Sequence, residues 1–258
     1  ELTQLSGIDL TFDAVRVQGD LAYHASNGLV SAAFSQVALS AGDSAQVQVT
    51  PLDDGYSVQV RGAQLDLKPV LKRLFSLDEG MGGVQSSDTD QTIALDVELE
   101  RALGFYATTA FNLDLALELS DGDMREASVA GQFSDGNGLS VTTNPAPNGR
   151  TLSVAFNDAG TVLRFLGIYS QLAGGSGNLV LTTNRARDVE AGRLVMRDFA
   201  IVDEANVAQV LGNHSDSRNA IAQQNRLDFD LAEVDFLRRS DRVEVTNGLV
   251  TGATVGGT

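Results

Sequence analysis

The sequence predicts a mainly β protein, a large antiparallel meander sheet with about three short helices, and three observations carry that expectation. Apolar and polar residues alternate over long stretches, the period-two signature of strands with one apolar and one wet face. Asn-Gly and Asp-Gly dipeptides, which tolerate positive φ, separate the alternating runs. Helical periodicity is confined to three short segments, each entered through an Asp.

Taken along the chain, Val47/Val49 and Tyr56/Val58/Val60 alternate as short strands. "LDLKPVLKRLF" then reads as a helix with Asp66 as N-cap, and Pro69 early enough to be tolerated. The segment from Asp78 to Gln91 is acidic, Gly- and Ser-rich and without period. It is expected to be a mobile loop inside one sheet, with a domain boundary at 78–91 as the alternative. In "TIALDVELERAL", Ile93, Leu95, Val97, Leu99 and Leu103 share one face, opposed by Thr92, Asp96, Glu98 and Glu100. In "AFNLDLALELS" the apolar set is Phe111, Leu113, Leu115, Leu117 and Leu119. Shorter alternations recur at Val129/Phe133, Leu152/Val154/Phe156, Leu227/Phe229/Leu231 and Val243/Val245. The turn pairs are Asn27-Gly28, Asp54-Gly55, Asp121-Gly122, Asp135-Gly136, Asn137-Gly138, Asn148-Gly149 and Asn247-Gly248.

The second helical segment raises a question of its own. After the natural N-cap Asp158, the stretch from Val162 to Leu172 is apolar almost all round, broken only by Arg164, Ser170 and Gln171. Such a helix must be covered on every side. "AGGSGN", which follows, reads as a helix stop joined to a strand start. "IVDEANVAQVL" is the third helix, with Asp203 as its cap.

The 258 residues fit one β-rich domain, 1–258, large enough to bury a sizeable core. Lys and Arg number 18 against 34 Asp and Glu, a formal charge of -16, and such a surface repels nucleic acid and anionic membrane faces. There is no Cys, hence no disulfide or thiolate chemistry, and no apolar run reaches the roughly 18 residues of a membrane-spanning helix. The chain begins mid-pattern and ends on "TGATVGGT", still strand and turn in character, and reads as a piece of a longer protein.

No catalytic constellation emerges. His24 and His214 are the only histidines, far apart and without metal-ligand spacing. "NHSDSRN" gathers Ser, His and Asp in one loop, whereas a triad is assembled in space. "SDGDM" and "SDGNG" lack the full ligand series of a calcium loop, and "AGGSGN" lacks the Lys-Ser/Thr of a phosphate loop. The expectation is a non-enzyme without cofactor or metal.

An apolar sheet face needs a cover. Each large side chain left in water forgoes roughly 1.5–3 kcal/mol of burial, and three short helices cannot cover so many strands. The sheet therefore closes as a β-sandwich with a dry core, or curls into an open half-pipe, a β-taco-like groove. The half-pipe is filled in part by helices and in part by an apolar ligand. Aromatics at 6% and the absence of Trp suit acyl chains better than sugars.

From Asp158 onward the chain resembles the C-terminal region of the AsmA-like family, in its YhdP-type branch. The resembling stretches are "DAGTVLRFLGIYSQLAGGSGNLVL", "GRLVMRDFAIVDEANVAQVL" and "LDFDLAEVDFLRRSDRVEVTNGLVTGATVGGT". Gly192, Leu194, Asp198, Phe199, Asp203 and Ala205 match a segment of the family, with Glu204 intervening. "VRGAQLDLKPVLKRLF" also looks similar, whereas the stretch between Leu211 and Leu227 departs from the pattern, where a longer apolar helical segment is usual. The resemblance implies a bacterial envelope protein on the periplasmic side, its parent chain anchored in the inner membrane by a segment elsewhere. Such proteins resemble bridge-like lipid carriers that conduct phospholipid between inner and outer membranes, with other envelope proteins as partners. The groove would then be lined by Ile93, Leu95, Val97, Leu99, Leu103, Phe111, Leu113, Leu115, Leu117, Leu119 and Phe133. The second helix would contribute Val162, Leu163, Phe165, Leu166, Ile168 and Tyr169. A structural role in outer-membrane biogenesis with a closed core is the second reading, and a carbohydrate-binding β-sandwich the third.

Overall fold

Alternating runs do become strands. The computed structural model describes residues 2–26, 28–75, 91–120, 123–133, 135–146, 149–184, 189–204, 225–239, 242–252 and 255–257. The chain divides into two compact units, Glu1–Gly136 and Asn137–Thr258. The segment 78–91 falls within the first, and apart from Gln91 it lies outside the described residues.

In the first unit, strands Leu2–Phe12 (β1), Val15–His24 (β2), Gly28–Ala38 (β3), Ser44–Leu52 (β4) and Gly55–Asp66 (β5) pair in chain order, each antiparallel to the last. Helix Lys68–Phe75 (α1) follows, then Thr92–Leu103 (β6), Thr109–Ser120 (β7) and Asp123–Phe133 (β8). The meander has one exception, because β5 pairs with β6 in parallel. The chain after β5 must travel back to the starting end of that strand, and a parallel pair always needs such a crossover. Thr92 is fixed there by Asp54, its amide donating to the Asp54 carbonyl at 2.8 Å and its hydroxyl to Oδ2 at 3.1 Å. The Thr92 carbonyl occupies the place where a side chain at residue 55 would project, so Gly55 is required by close approach. At the free edge of the unit, Phe12 on β1 is 82% exposed.

In the second unit Gly138–Ala146 (β9) and Gly149–Phe156 (β10) lead to helix Ala159–Leu166 (α2). Strands Leu172–Asn184 (β11), Val189–Val202 (β12), Arg226–Arg238 (β13), Val243–Gly252 (β14) and Val255–Gly257 (β15) complete it, every neighbouring pair antiparallel. Here the helix is inserted into the connection between two antiparallel partners, so no return crossover is needed.

Several sequence expectations need correction. The second helix stops at Leu166, not Leu172, because Gly167 takes a left-handed conformation (φ 74°). The Gly167 and Ile168 amides close that end onto the carbonyls of Arg164 and Leu163, a Schellman arrangement. "AGGSGN" is therefore no helix stop. It lies inside β11, where Gly174 and Gly175 have positive φ at an irregularity opposite Asp198. Asn247-Gly248 is no hairpin turn either, but part of β14, at a register shift that leaves Thr246 unpaired. Asp66 ends β5 instead of occupying the cap position, although its Oδ1 still accepts the Lys68 amide at 3.0 Å. The segment beyond Glu204, with the third helix, Ala205 and His214, lies outside the described residues.

Asp158 is the N-cap of α2, its backbone extended and its carboxylate accepting from the Thr161 amide at 2.9 Å and hydroxyl at 2.7 Å. Asp43 is buried and organises a connection: its carboxylate accepts amides of Leu39, Ser40 and Asp66 at 2.9–3.0 Å.

Candidate functional site

The apolar face of the first unit is built from cross-strand rows. Val47, Val60, Val97, Leu115 and Val129 form one, each opposite the next through β4, β5, β6, β7 and β8. Val49, Val58, Leu95, Leu117 and Ala127 form the next. Pro51, Tyr56, Ile93 and Leu119 lead a third, with Met124 opposite Leu119.

On β6 and β7 burial falls from row to row. On β6, Leu99 is 2% exposed, Val97 8%, Leu95 half-buried and Ile93 40%. On β7, Leu113 is buried while Leu115, Leu117 and Leu119 stay half-buried. Large aliphatic side chains therefore leave the core progressively toward the starting end of β6. The fully buried hydrophobic set of this unit contains Ala32, Ala38, Ala45, Ala102, Ala110 and Ala127 beside Leu65, Leu71, Val97, Leu99, Leu113 and Phe133, so small side chains make up half of the closed part.

The alternation changes phase along a line crossing the strands. Glu100 is skipped in the pairing of β6 with both neighbours, and its counterpart Asn112 has φ 48°. One residue is skipped on each of the paired strands, so the register is kept while the side chains beyond the line change face. Beyond the line the buried row is Leu65, Ala102, Ala110 and Phe133. Leu103 and Phe111, expected in phase with Leu99 and Leu113, are only half-buried, and the alanines beside them continue the buried row. That exchange had no sequence signal except the polar Glu100 and Asn112 at the skipped pair.

The second unit repeats the device. Gly175 (φ 93°), Asp198 (φ 54°) and Asp230 are skipped where β11, β12 and β13 pair. Met196 is buried before the line and Phe199 after it, and the Phe199 ring stacks on Phe229 at 4.9 Å between centroids. The Phe236 ring fills the space a side chain at Gly192 would need. Gly192, Asp198 and Phe199 thus have local structural reasons. Asp203 has φ 56° and accepts from the side chain of Asn225, closing the base of a connection.

Helix α2 lies tight against β11, because the Leu172 carbonyl sits where a Cβ at Gly160 would be. Arg164, the one charge on the helix, donates to that carbonyl at 2.8 Å and to Thr161 Oγ1 at 2.8 Å. Val162 and Phe165 are buried, Leu163 and Leu166 half-buried, and Ile168 is 44% exposed beyond the helix end. The helix is therefore covered on one side, not all round. Tyr169 is half-buried; burial first, then the nearby Glu204 carboxylate that accepts its hydroxyl at 3.3 Å, raise its pKa above the ordinary tyrosine value.

The opposite face of the first unit is polar. Arg61 contacts Asp96 at 2.6 Å and Glu98 at 3.2 Å, and the hydrogen bond to Asp96 leads the causes that raise its pKa. A shallow recess of about 300 Å³ is lined by Asp20, Gln46, Gln48, Gln59 and Arg61 among others. Among the described residues no group of three or more His, Asp or Glu is placed to hold a metal ion, and no helix is long and apolar enough to cross a membrane.

What the geometry defines is a mainly β protein whose sheets carry a one-sided, incompletely covered apolar face. No protein-family model matches the chain, and neither does any curated protein or solved structure.

Proposed function

We propose that the chain is a non-catalytic segment of a bacterial envelope protein that holds phospholipid acyl chains along its apolar sheet face and passes them between inner and outer membranes. The observation that carries this reading is the burial gradient from Leu99 to Ile93, continued on β7 from Leu113 to Leu119. A closed sandwich would bury these side chains at both ends of the strand. An open strip leaves them half-covered, and each then gains the remaining part of the roughly 1.5–3 kcal/mol of full burial once an acyl chain displaces water. From Leu99 to Ile93 the strip runs about 20 Å at roughly 3.3 Å per residue, a length that suits an extended acyl chain. The charged face formed by Arg61, Asp96 and Glu98 stays in water. The mechanism is passive, with headgroups at the solvent side, no bond broken and no cofactor. The resemblance of the stretch from Asp158 to the AsmA-like family points the same way and supplies the periplasmic location, the inner-membrane anchor of the parent chain and the envelope partners.

The test is native mass spectrometry with lipid extraction on protein purified without detergent. Phospholipid near one copy per chain, lost in Leu95→Asp and Leu117→Asp, is the expected result. A lipid-free protein that takes up nothing from vesicles would sink the proposal and favour a closed-core scaffold.

A further inference from the structure

Charge is unevenly distributed between the units. Glu1–Gly136 carries 7 Lys and Arg against 21 Asp and Glu, a net of -14; Asn137–Thr258 carries 11 against 13, a net of -2. All 11 cations of the second unit are arginines.

Four of them gather at one end of its sheet. Arg150 is the second residue of β10, Arg238 ends β13, and Arg239 and Arg242 lie between β13 and β14, the Arg239 amide donating to the Arg242 carbonyl at 2.9 Å. Arg150, Thr183, Glu190, Arg238 and Val243 are successive partners across five strands, a terminal row in which Arg150 and Arg238 lie three strand spacings, about 14 Å, apart. The acidic residues described beside them are Glu190, ion-paired to Arg238 at 3.2 Å, and the exposed Glu244. On the same face the next row inward is apolar: Leu152, Leu181, Gly192, Phe236 and Val245. Val243 and Val245 are 51% and 63% exposed. The other end of the unit carries Asp158, Asp203 and Glu204.

We propose that the arginine-bearing end of the second unit docks on an anionic phospholipid bilayer, with Arg150, Arg238, Arg239 and Arg242 against lipid phosphates and Val243 and Val245 at the headgroup–acyl boundary. Guanidinium groups match phosphate with paired hydrogen bonds, and each basic residue at an anionic leaflet strengthens binding about fivefold. Exposed aliphatic side chains beside the arginines select a bilayer over a soluble anion, since an interface rewards cationic and apolar groups together. The net charge of -16 repels such a surface in general, so this one end orients the molecule. The surface stands whether or not lipid travels along the apolar strip.

The experiment is co-sedimentation of the full chain with phosphatidylcholine vesicles and with vesicles containing phosphatidylglycerol, across a salt series. Wild type binds only the anionic vesicles and weakens as salt rises. The double variant Arg239→Glu, Arg242→Glu, checked for native hydrogen-exchange protection, loses more than about tenfold, while Arg226→Glu, at the other end of β13 from Arg238, binds as wild type. Val243→Ser with Val245→Ser weakens binding without changing the salt slope. Equal binding to neutral vesicles, or an undiminished double variant, overturns the proposal. So does displacement by inorganic phosphate at constant ionic strength, which would mark a free-anion site.

Discussion

The two units use the same parts to different ends. In each, a strand runs through an aspartate into an eight-residue helix, and in each a polar line across the sheet shifts the phase of burial. The helices differ in how they meet the sheet. Helix α2 buries Ala159, Gly160, Thr161, Val162 and Phe165 and is pinned to β11 by Arg164. Helix α1 buries Leu71 but exposes Val70 and Lys72. The lesson is that a similar local motif becomes a core element where the next strand is antiparallel and adjacent, whereas among residues 68–72, where the chain must cross back, only Leu71 is buried.

That contrast can be broken directly. Phe165→Ala should cost about 3–5 kcal/mol and strip hydrogen-exchange protection from β10, β11 and β12. Leu71→Ala should cost about 2–5 kcal/mol at most, as a buried aliphatic truncation, with its loss confined to β5 and β6. If both variants loosen the same strands, the units are not separately organised. At least comparable in size, Asp43→Ala removes the acceptor for three backbone amides of the first unit, and about 1–3 kcal/mol per stranded donor is the scale of the loss. Denaturant unfolding should show it, with the second unit unaffected.

Smaller effects sharpen the electrostatic side. Raising salt screens self-repulsion, so exchange protection should rise more in the unit of net -14 than in the unit of net -2. Equal gains would mean that local ion pairs such as Arg61 with Asp96 already neutralise the first unit. Least of all, Tyr169 has a folded pKa above its unfolded value of 10.0. Its contribution is complete below that pH and lost as pH rises through the folded pKa. Tyr169→Phe should lower stability slightly at neutral pH, by the hydrogen bond to Glu204 that it removes, and flatten the alkaline limb of the stability curve.

The sequence by itself determined the β class, most strand positions, the turns at Asp54-Gly55 and Asp135-Gly136 and the cap at Asp158, because alternation, Gly-Asx turns and capping are decided within a few residues. It also placed Leu95, Val97, Leu99, Leu113, Leu115 and Leu117 on apolar strand faces, since period two needs no tertiary knowledge. Only the tertiary structure decided that α2 ends at Gly167 and that β5 and β6 run parallel. It also decided that "AGGSGN" and Asn247-Gly248 lie within strands, and that Ala102 and Ala110 replace Leu103 and Phe111 in the buried row. Each of these depends on what a neighbouring strand does opposite the residue: a glycine marks a turn or a bulge according to its partner, and one skipped pair reverses every side chain beyond it. The gathering of Arg150, Arg238, Arg239 and Arg242 has the same origin, because residues almost a hundred positions apart meet only once antiparallel pairing brings alternate turns to one end of the sheet.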